Sequence, residues 1–410
     1  MNTMPTEFVN RKLGLLWRLP ILFLFAGGGI LQYLGALSQT ESNWIALILF
    51  LHVFMIRAAW NQLRYEIPLF IFIMFVVLHR FEYATPASYT LTYLYYLTCA
   101  IIAAVAGRMF AMRIASSDGI SSLMKFAKIF LSIQLFFVVI QSVFTEQFIA
   151  LSGAKIGYVD AIFGTLFLQS DAALAAVCEL LIICAFLFSS KVADRFIISA
   201  TSLLIIFLGN SNASKIAVLL ICALLLIGGA YRSLSAKGRH GFNILAFATV
   251  TPILIILYSL TSSWIVEFFV QAADGYYRRE AWETASRFSP IGQIFTEGVN
   301  MFGYGALTYY NPITKEWLYN AGFSTIYSLY LDFGLVGILL YLYYQLFLMV
   351  RFTYNYIQFF AFFCVLAFFM VFNFALTDLA FVFAFNAVLY LNYLEGRPSS
   401  EVQGSQFEVI

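Results

Sequence analysis

The stretch LPILFLFAGGGILQYLGALSQ, residues 19–39, carries no charge, and apolar runs of similar length recur along most of the chain behind it. A bilayer's hydrocarbon core is about 30 Å thick and takes about 20 apolar residues per helix. Separated by short polar breaks, the runs number about twelve by that measure. Composition agrees: of 410 residues, 62% are hydrophobic and 19% aromatic, with 23 Lys and Arg against 21 Asp and Glu and a mean hydropathy of +0.86. Such a chain has too little polar surface for a soluble globule. The expected fold class is therefore all-α, a polytopic integral membrane protein of about twelve transmembrane helices. All of 1–410 forms one transmembrane domain, and the polar tail 395–410 is expected to be disordered.

The first run follows Arg11, Lys12 and Arg18 and could pass for a signal peptide. With the other runs behind it, an uncleaved first helix is expected. Short cytoplasmic loops retain Lys and Arg, which fixes the orientation. A cytoplasmic N-terminus puts most basic residues inside, Arg57, Arg64, Arg108, Arg113, Lys125, Lys128, Lys191, Arg195 and Arg351 among them. The outer side then keeps Arg80, Lys155, Lys215, Arg278, Arg279, Arg287 and Lys315, and the C-terminus is also cytoplasmic.

Three loops stand out. The outer stretch 261–325 is long and polar, with Gly and aromatic residues throughout; long ordered loops are usually functional. A second outer segment, 152–174, bears glycines, and 108–128 alternates basic and apolar residues as a segment lying along the membrane surface would. All five cysteines fall inside apolar runs and read as small buried hydrophobes. His52, His79 and His240 have no ligand spacing, so no metal site is expected. No phosphate-binding Gly-rich loop is present, and nothing reads as a nucleic-acid interface.

Lys215 stands at the start of the eighth run, in LGNSNASKIAVLL. A cation at a helix N-terminus is repelled by roughly 0.3–1 kcal/mol, and this one also faces outward. It either snorkels to the headgroups or meets a bound anion, which the free N–H groups of a helix start also attract. Asn210, Asn212 and Ser214 are potential caps. In GYYRREAWETASRF, Arg278, Arg279 and Arg287 form either a solvated face paired with Glu280 and Glu283 or a clamp for phosphate. Trp282, Tyr304, Tyr309 and other loop aromatics suit either the membrane interface or stacking on sugars. Glu179, mid-run, reads as a buried carboxylate in an interhelical hydrogen bond, and Asp378 as an ordinary loop acid.

The order of NASKIAVLL, the outer loop with RREAW, the turn MFGYGALTYY and then GFSTIYSLYLDFGLVGILLYL resembles the O-antigen polymerase and ligase family, over about 150–394. Its Ser-Arg pair corresponds to Ser214 and Lys215, and its arginine before the tryptophan to Arg278. Ligases carry a His-Asn pair where this chain has Phe323 and Ser324, so the resemblance favours a polymerase. It implies transfer of an undecaprenyl-pyrophosphate-linked glycan chain onto a lipid-linked repeat unit, at the periplasmic face of the bacterial inner membrane. No cofactor, metal or sugar nucleotide is implied; a chain-length regulator and a flippase are possible partners alongside membrane lipids. In this reading Lys215 and Arg278 stabilise the leaving pyrophosphate, and Arg279, Arg287, Ser214, Trp282, Tyr304 and Tyr309 bind substrate. Glu280, Glu283 and Asp274 are the candidate bases. A ligase, and a flippase or transporter of lipid-linked oligosaccharides, stay open as alternatives.

Overall fold

A computed structural model describes residues 18–83, 85–115, 119–153, 161–166, 171–209, 211–233, 294, 298–311, 316–319 and 324–396. These are helical apart from loops and one short hairpin. The helices are α1 (Arg18–Tyr33), α2 (Gln39–Leu51), α3 (Arg57–Gln62), α4 (Ile67–Tyr83), α5 (Ala87–Ala115), α6 (Gly119–Val143), α7 (Thr145–Ala150), α8 (Asp171–Phe188), α9 (Val192–Leu208), α10 (Asn212–Ser233), α11 (Thr325–Phe352), α12 (Tyr356–Phe372) and α13 (Leu379–Glu395). The expected all-α chain thus acquires one strand pair. Strands β1 (Thr308–Asn311) and β2 (Glu316–Tyr319) pair antiparallel, Thr308 opposite Tyr319. Among the described residues, four helical segments are long and apolar enough to cross a membrane: Arg57–Tyr83, α5, α6 and α11. Six more apolar helices are shorter. The expected ninth run, 241–260, lies outside the described residues.

The bundle closes around α13, which is buried on nearly all sides, as an apolar helix without a polar face must be. Its main partner is α5, whose Ala103, Ala104, Ala106 and Gly107 let the backbones approach. A methyl group on Gly107 would lie 2.3 Å from the Phe383 carbonyl oxygen. Small residues serve such crossings in membranes because burial from lipid gives helices no hydrophobic gain. The outside of the bundle is apolar on several helices, with Phe81 78%, Phe136 62%, Leu226 63% and Val350 68% exposed, a surface that suits lipid and not water.

Packing sorts the helix ends into two sets. Hydrogen bonds join the start of α11 to Asn373 beyond the end of α12, and Gly228, late in α10, meets Ile357 at the start of α12. Lys215 and Arg80 therefore lie at one end, and Arg18, Arg57, Arg64, Arg113, Lys125, Lys128, Lys191, Arg195 and Arg351 at the other. That division follows the expected asymmetry among the described residues.

Local departures from the expected runs have visible causes. The apolar run 44–61 is not one span: it ends in a 3-10 turn, His52–Met55, and an extended Ile56 (φ −97°, ψ 122°). The Trp60 indole donates to the Phe54 carbonyl across the break, 2.9 Å. The described residues of 108–128 do not form a separate surface segment: they continue α5 to Ala115 and open α6 at Gly119, with Arg108 fully buried.

Within the second outer segment, the stretch Ala161–Leu166 is likewise inside the bundle. Ala161, Ile162, Phe163, Thr165 and Leu166 are each buried although none is helical. Two α6 glutamines replace the missing backbone partners. Gln141 Nε2 donates to the Gly164 carbonyl and its Oε1 accepts from the Gly164 N–H, both 2.8 Å; Gln134 Oε1 accepts from the Thr165 N–H, 2.8 Å. The Thr165 hydroxyl donates to the Phe25 carbonyl, 2.9 Å, within the π-helical turn Phe23–Gly27. Any side chain at Gly29 would collide with the Leu166 carbonyl, 2.1 Å from its Cβ position. Irregular backbone is tolerated at membrane depth only when protein satisfies it in this way.

Candidate functional site

At the Lys215 end, α11 is broken at Gly334 (φ 64°, ψ −159°), a conformation open in practice only to glycine. The loop 300–305 crosses the break and supplies the lost hydrogen bonds. The N–H groups of Tyr304 and Gly305 donate to the carbonyls of Leu331 and Asp332, 2.8 and 2.7 Å. In return the N–H groups of Leu335 and Val336 donate to the carbonyls of Asn300 and Met301, 3.0 and 3.1 Å. Glycine is needed on both sides: a Cβ on Gly334 would sit 2.4 Å from the Phe302 nitrogen, and one on Gly303 (φ 72°) 2.4 Å from the Phe333 nitrogen. Asn300 fixes the turn, its Oδ1 accepting from the N–H groups of Phe302 and Gly303, 3.1 and 2.8 Å.

Polar groups gather beneath this seam. His79, at the end of α4, donates from Nε2 to the Phe302 carbonyl, 2.6 Å, and stacks on Tyr83 with ring centroids 4.3 Å apart. Its Nδ1 is buried with no hydrogen-bond partner among the described residues, as is the Tyr93 hydroxyl. Both rings rest on Phe333, at 5.3 and 5.0 Å. Asp332 is wholly buried beside them, near enough for its charge to act on Tyr93. Tyr304 is partly buried in the same loop.

Lys215 lies in the first turn of α10, half-buried. The cap differs from the expected ones: it is Ser211, whose Oγ accepts from the Ser214 N–H, 3.3 Å, and lies 2.8 Å from the Ser214 hydroxyl. Ser214 is 8% exposed, and its hydroxyl is paired with that of Ser211. Helix α12 packs against both α10 and α11. Ser324 is structural: its hydroxyl caps α11, accepting from the Tyr327 N–H at 3.4 Å, and donates to the Met370 carbonyl, 3.0 Å. No protein-family model matches this chain, and no curated protein matches it.

Arg278, Arg279, Glu280, Trp282 and Arg287, together with Asp274, Glu283, Phe323 and Asn210, lie outside the described residues. Tyr309 falls in β1, where only the backbone is described. Glu179 is buried where α8 meets α10 and α12, within reach of Cys222 and Cys364. Asp378 is no ordinary loop acid. It is 3% exposed at the turn before α13 and accepts from the Phe381 N–H, 2.9 Å, while burial pushes its carboxyl up to about 7.

Sequence reasoning missed a second polar centre, toward the Arg113 end. Arg108 and Glu66 form an ion pair with both side chains fully buried. The Tyr344 hydroxyl donates to Glu66 Oε2, 2.7 Å, and Arg108 donates to Asn386 Oδ1, 2.8 Å. Gln62 donates to the Tyr390 hydroxyl at 3.3 Å alongside. The available signal was a charge inside an apolar helix, hidden because Arg108 opens a stretch that also contains Arg113, Lys125 and Lys128.

Proposed function

We propose that this chain is a polysaccharide polymerase of the bacterial inner membrane, with about twelve spans and both termini cytoplasmic. It transfers an undecaprenyl-pyrophosphate-linked glycan chain onto a lipid-linked repeat unit at the periplasmic face. The observation that carries the reading is the seam between MFGYG and LDFG. The two segments, which carry the family resemblance and lie on either side of the β1–β2 hairpin in sequence, are hydrogen-bonded to each other at the same end of the bundle as Lys215.

In the reaction the acceptor hydroxyl oxygen attacks the anomeric carbon, the bond from that carbon to the pyrophosphate oxygen breaks, and the hydroxyl proton passes to a carboxylate among Glu280, Glu283 and Asp274. The leaving pyrophosphate gains negative charge, which Lys215 and Arg278 would stabilise. At 4 Å and an effective dielectric near 20, one opposite charge contributes about 4 kcal/mol, more than the helix terminus takes away.

A deletion strain tests the class. Single repeat units on the lipopolysaccharide core support polymerase loss, and complete absence of repeats would move the assignment to a ligase or flippase. Within a complemented strain, Lys215→Arg should retain polymer, Lys215→Ala should lose it with normal protein level, and Lys215→Glu should bind a lipid pyrophosphate analogue more weakly than Lys215→Ala. Equal binding by all of them would reduce Lys215 to a snorkelling residue.

A further inference from the structure

At the Arg113 end, the start of α1, the last turns of α5 and the start of α6 surround a cavity of about 500 Å³, inside the usual range for ligand sites of about 300–1,000 Å³. Two kinds of side chain line it. Arg18, Arg113 and Ser122 come from helix ends, whereas Ile21, Phe110 and Phe126 lie deeper. Among the described residues, none that lines it is acidic. The N–H groups that open the 25-residue α6 add positive potential at Gly119, which also lines the cavity.

The cavity does not end there. Ile21, Phe110, Ile114, Leu123 and Phe126 also line a narrower slot of about 70 Å³ that continues between α8 and α13, past Leu181, Cys184 and Ala387, with only apolar side chains along it. A chamber with two guanidinium groups leading into an apolar slot fits an amphiphile with an anionic head and a hydrocarbon tail. Guanidinium grips phosphate oxygens bidentately. This is also the end where most of the described cations gather, and cations concentrate at the leaflet surface richest in anionic phospholipid.

We propose that this cavity holds one anionic phospholipid, its phosphate between Arg18 and Arg113 and one acyl chain running along the apolar part of the chamber toward the slot. The site is at the opposite end from Lys215, so it is independent of the polymerase reading.

The test is native mass spectrometry of the full chain released from nanodiscs containing equal phosphatidylglycerol and phosphatidylcholine. Wild type should retain one phosphatidylglycerol in preference to phosphatidylcholine. Arg18→Ala and Arg113→Ala should each weaken that retention about fivefold, and the double variant about twentyfold or more. Arg351→Ala, at the same end but outside the cavity, should leave it unchanged. Ala387→Trp should block the slot and lower retention with both arginines present; the surface arginine variants keep the test intact if this buried change prevents folding. Equal retention of both lipids by wild type, or an Arg351→Ala loss as large as that of the cavity arginines, would overturn the proposal. So would preferential capture of a polyprenyl phosphate when it competes with phosphatidylglycerol, or displacement of the lipid by millimolar inorganic phosphate.

Discussion

Arg108 and Glu66 are each other's main compensation in a place neither shares with solvent. Removing one partner leaves an uncompensated buried charge, a loss of about 3–5 kcal/mol, whereas replacing both can be nearly neutral. Arg108→Met should therefore lower the unfolding temperature of detergent-purified protein sharply, and Arg108→Met combined with Glu66→Gln should recover most of it. A double variant as unstable as the single would show that Asn386 and Tyr344, not the ion pair, set the stability. Asp378 gives a pH signature. Its folded value is near 7 against an ordinary 3.8, so the folded state holds the proton more tightly than the unfolded chain. Its contribution is complete below about pH 4 and is lost as pH rises through about 7. Asp378→Asn keeps a capping side chain and should flatten the fall in unfolding temperature across that window; an unchanged slope would assign the slope to another group. Neither role was legible beforehand. Glu66 lies 42 residues from Arg108 in sequence, and burial of Asp378 depends on how the α12 to α13 turn packs.

Among the elements, the broken α11 is the one whose sequence and shape explain each other most directly. Gly334→Ala should disrupt the seam, because a methyl group must both enter a glycine-only conformation and overlap the 301–302 backbone. Gly303→Ala should do the same from the other side. Gly229→Ala in α10 is the control: nothing lies within 4 Å of its Cβ position, so it should be neutral or stabilising by up to about 1 kcal/mol. Limited proteolysis near residue 300 reads the difference, and equal resistance in all three variants would contradict the interlock. The glycines and the two motifs were visible in the sequence, but their pairing was not, since periodicity reports faces of one helix and cannot report a crossing loop. The same limit explains the run 44–61, where unbroken hydropathy conceals the extended Ile56.

For the whole molecule, the asymmetry of Lys and Arg was readable because it is a property of composition near helix ends, and packing places those ends together among the described residues. Reporter fusions at Ser235 and Gly396 should read cytoplasmic, and fusions at Ser42, Gly153 and Pro312 should read periplasmic. A cytoplasmic Pro312 would remove both the orientation and the proposed chemistry. The depth at which chain segments sit was not readable, because Ala161–Leu166 looks like a loop and is interior. That burial orders biogenesis. A ribosome delivers α6, with Gln134 and Gln141, before it delivers Gly164 and Thr165, and an amide in lipid without a partner is strongly disfavoured. The first two-fifths of the nascent chain is therefore expected to remain an open subassembly, with Gln141 sheltered by water or an insertion factor, until translation has passed Leu166.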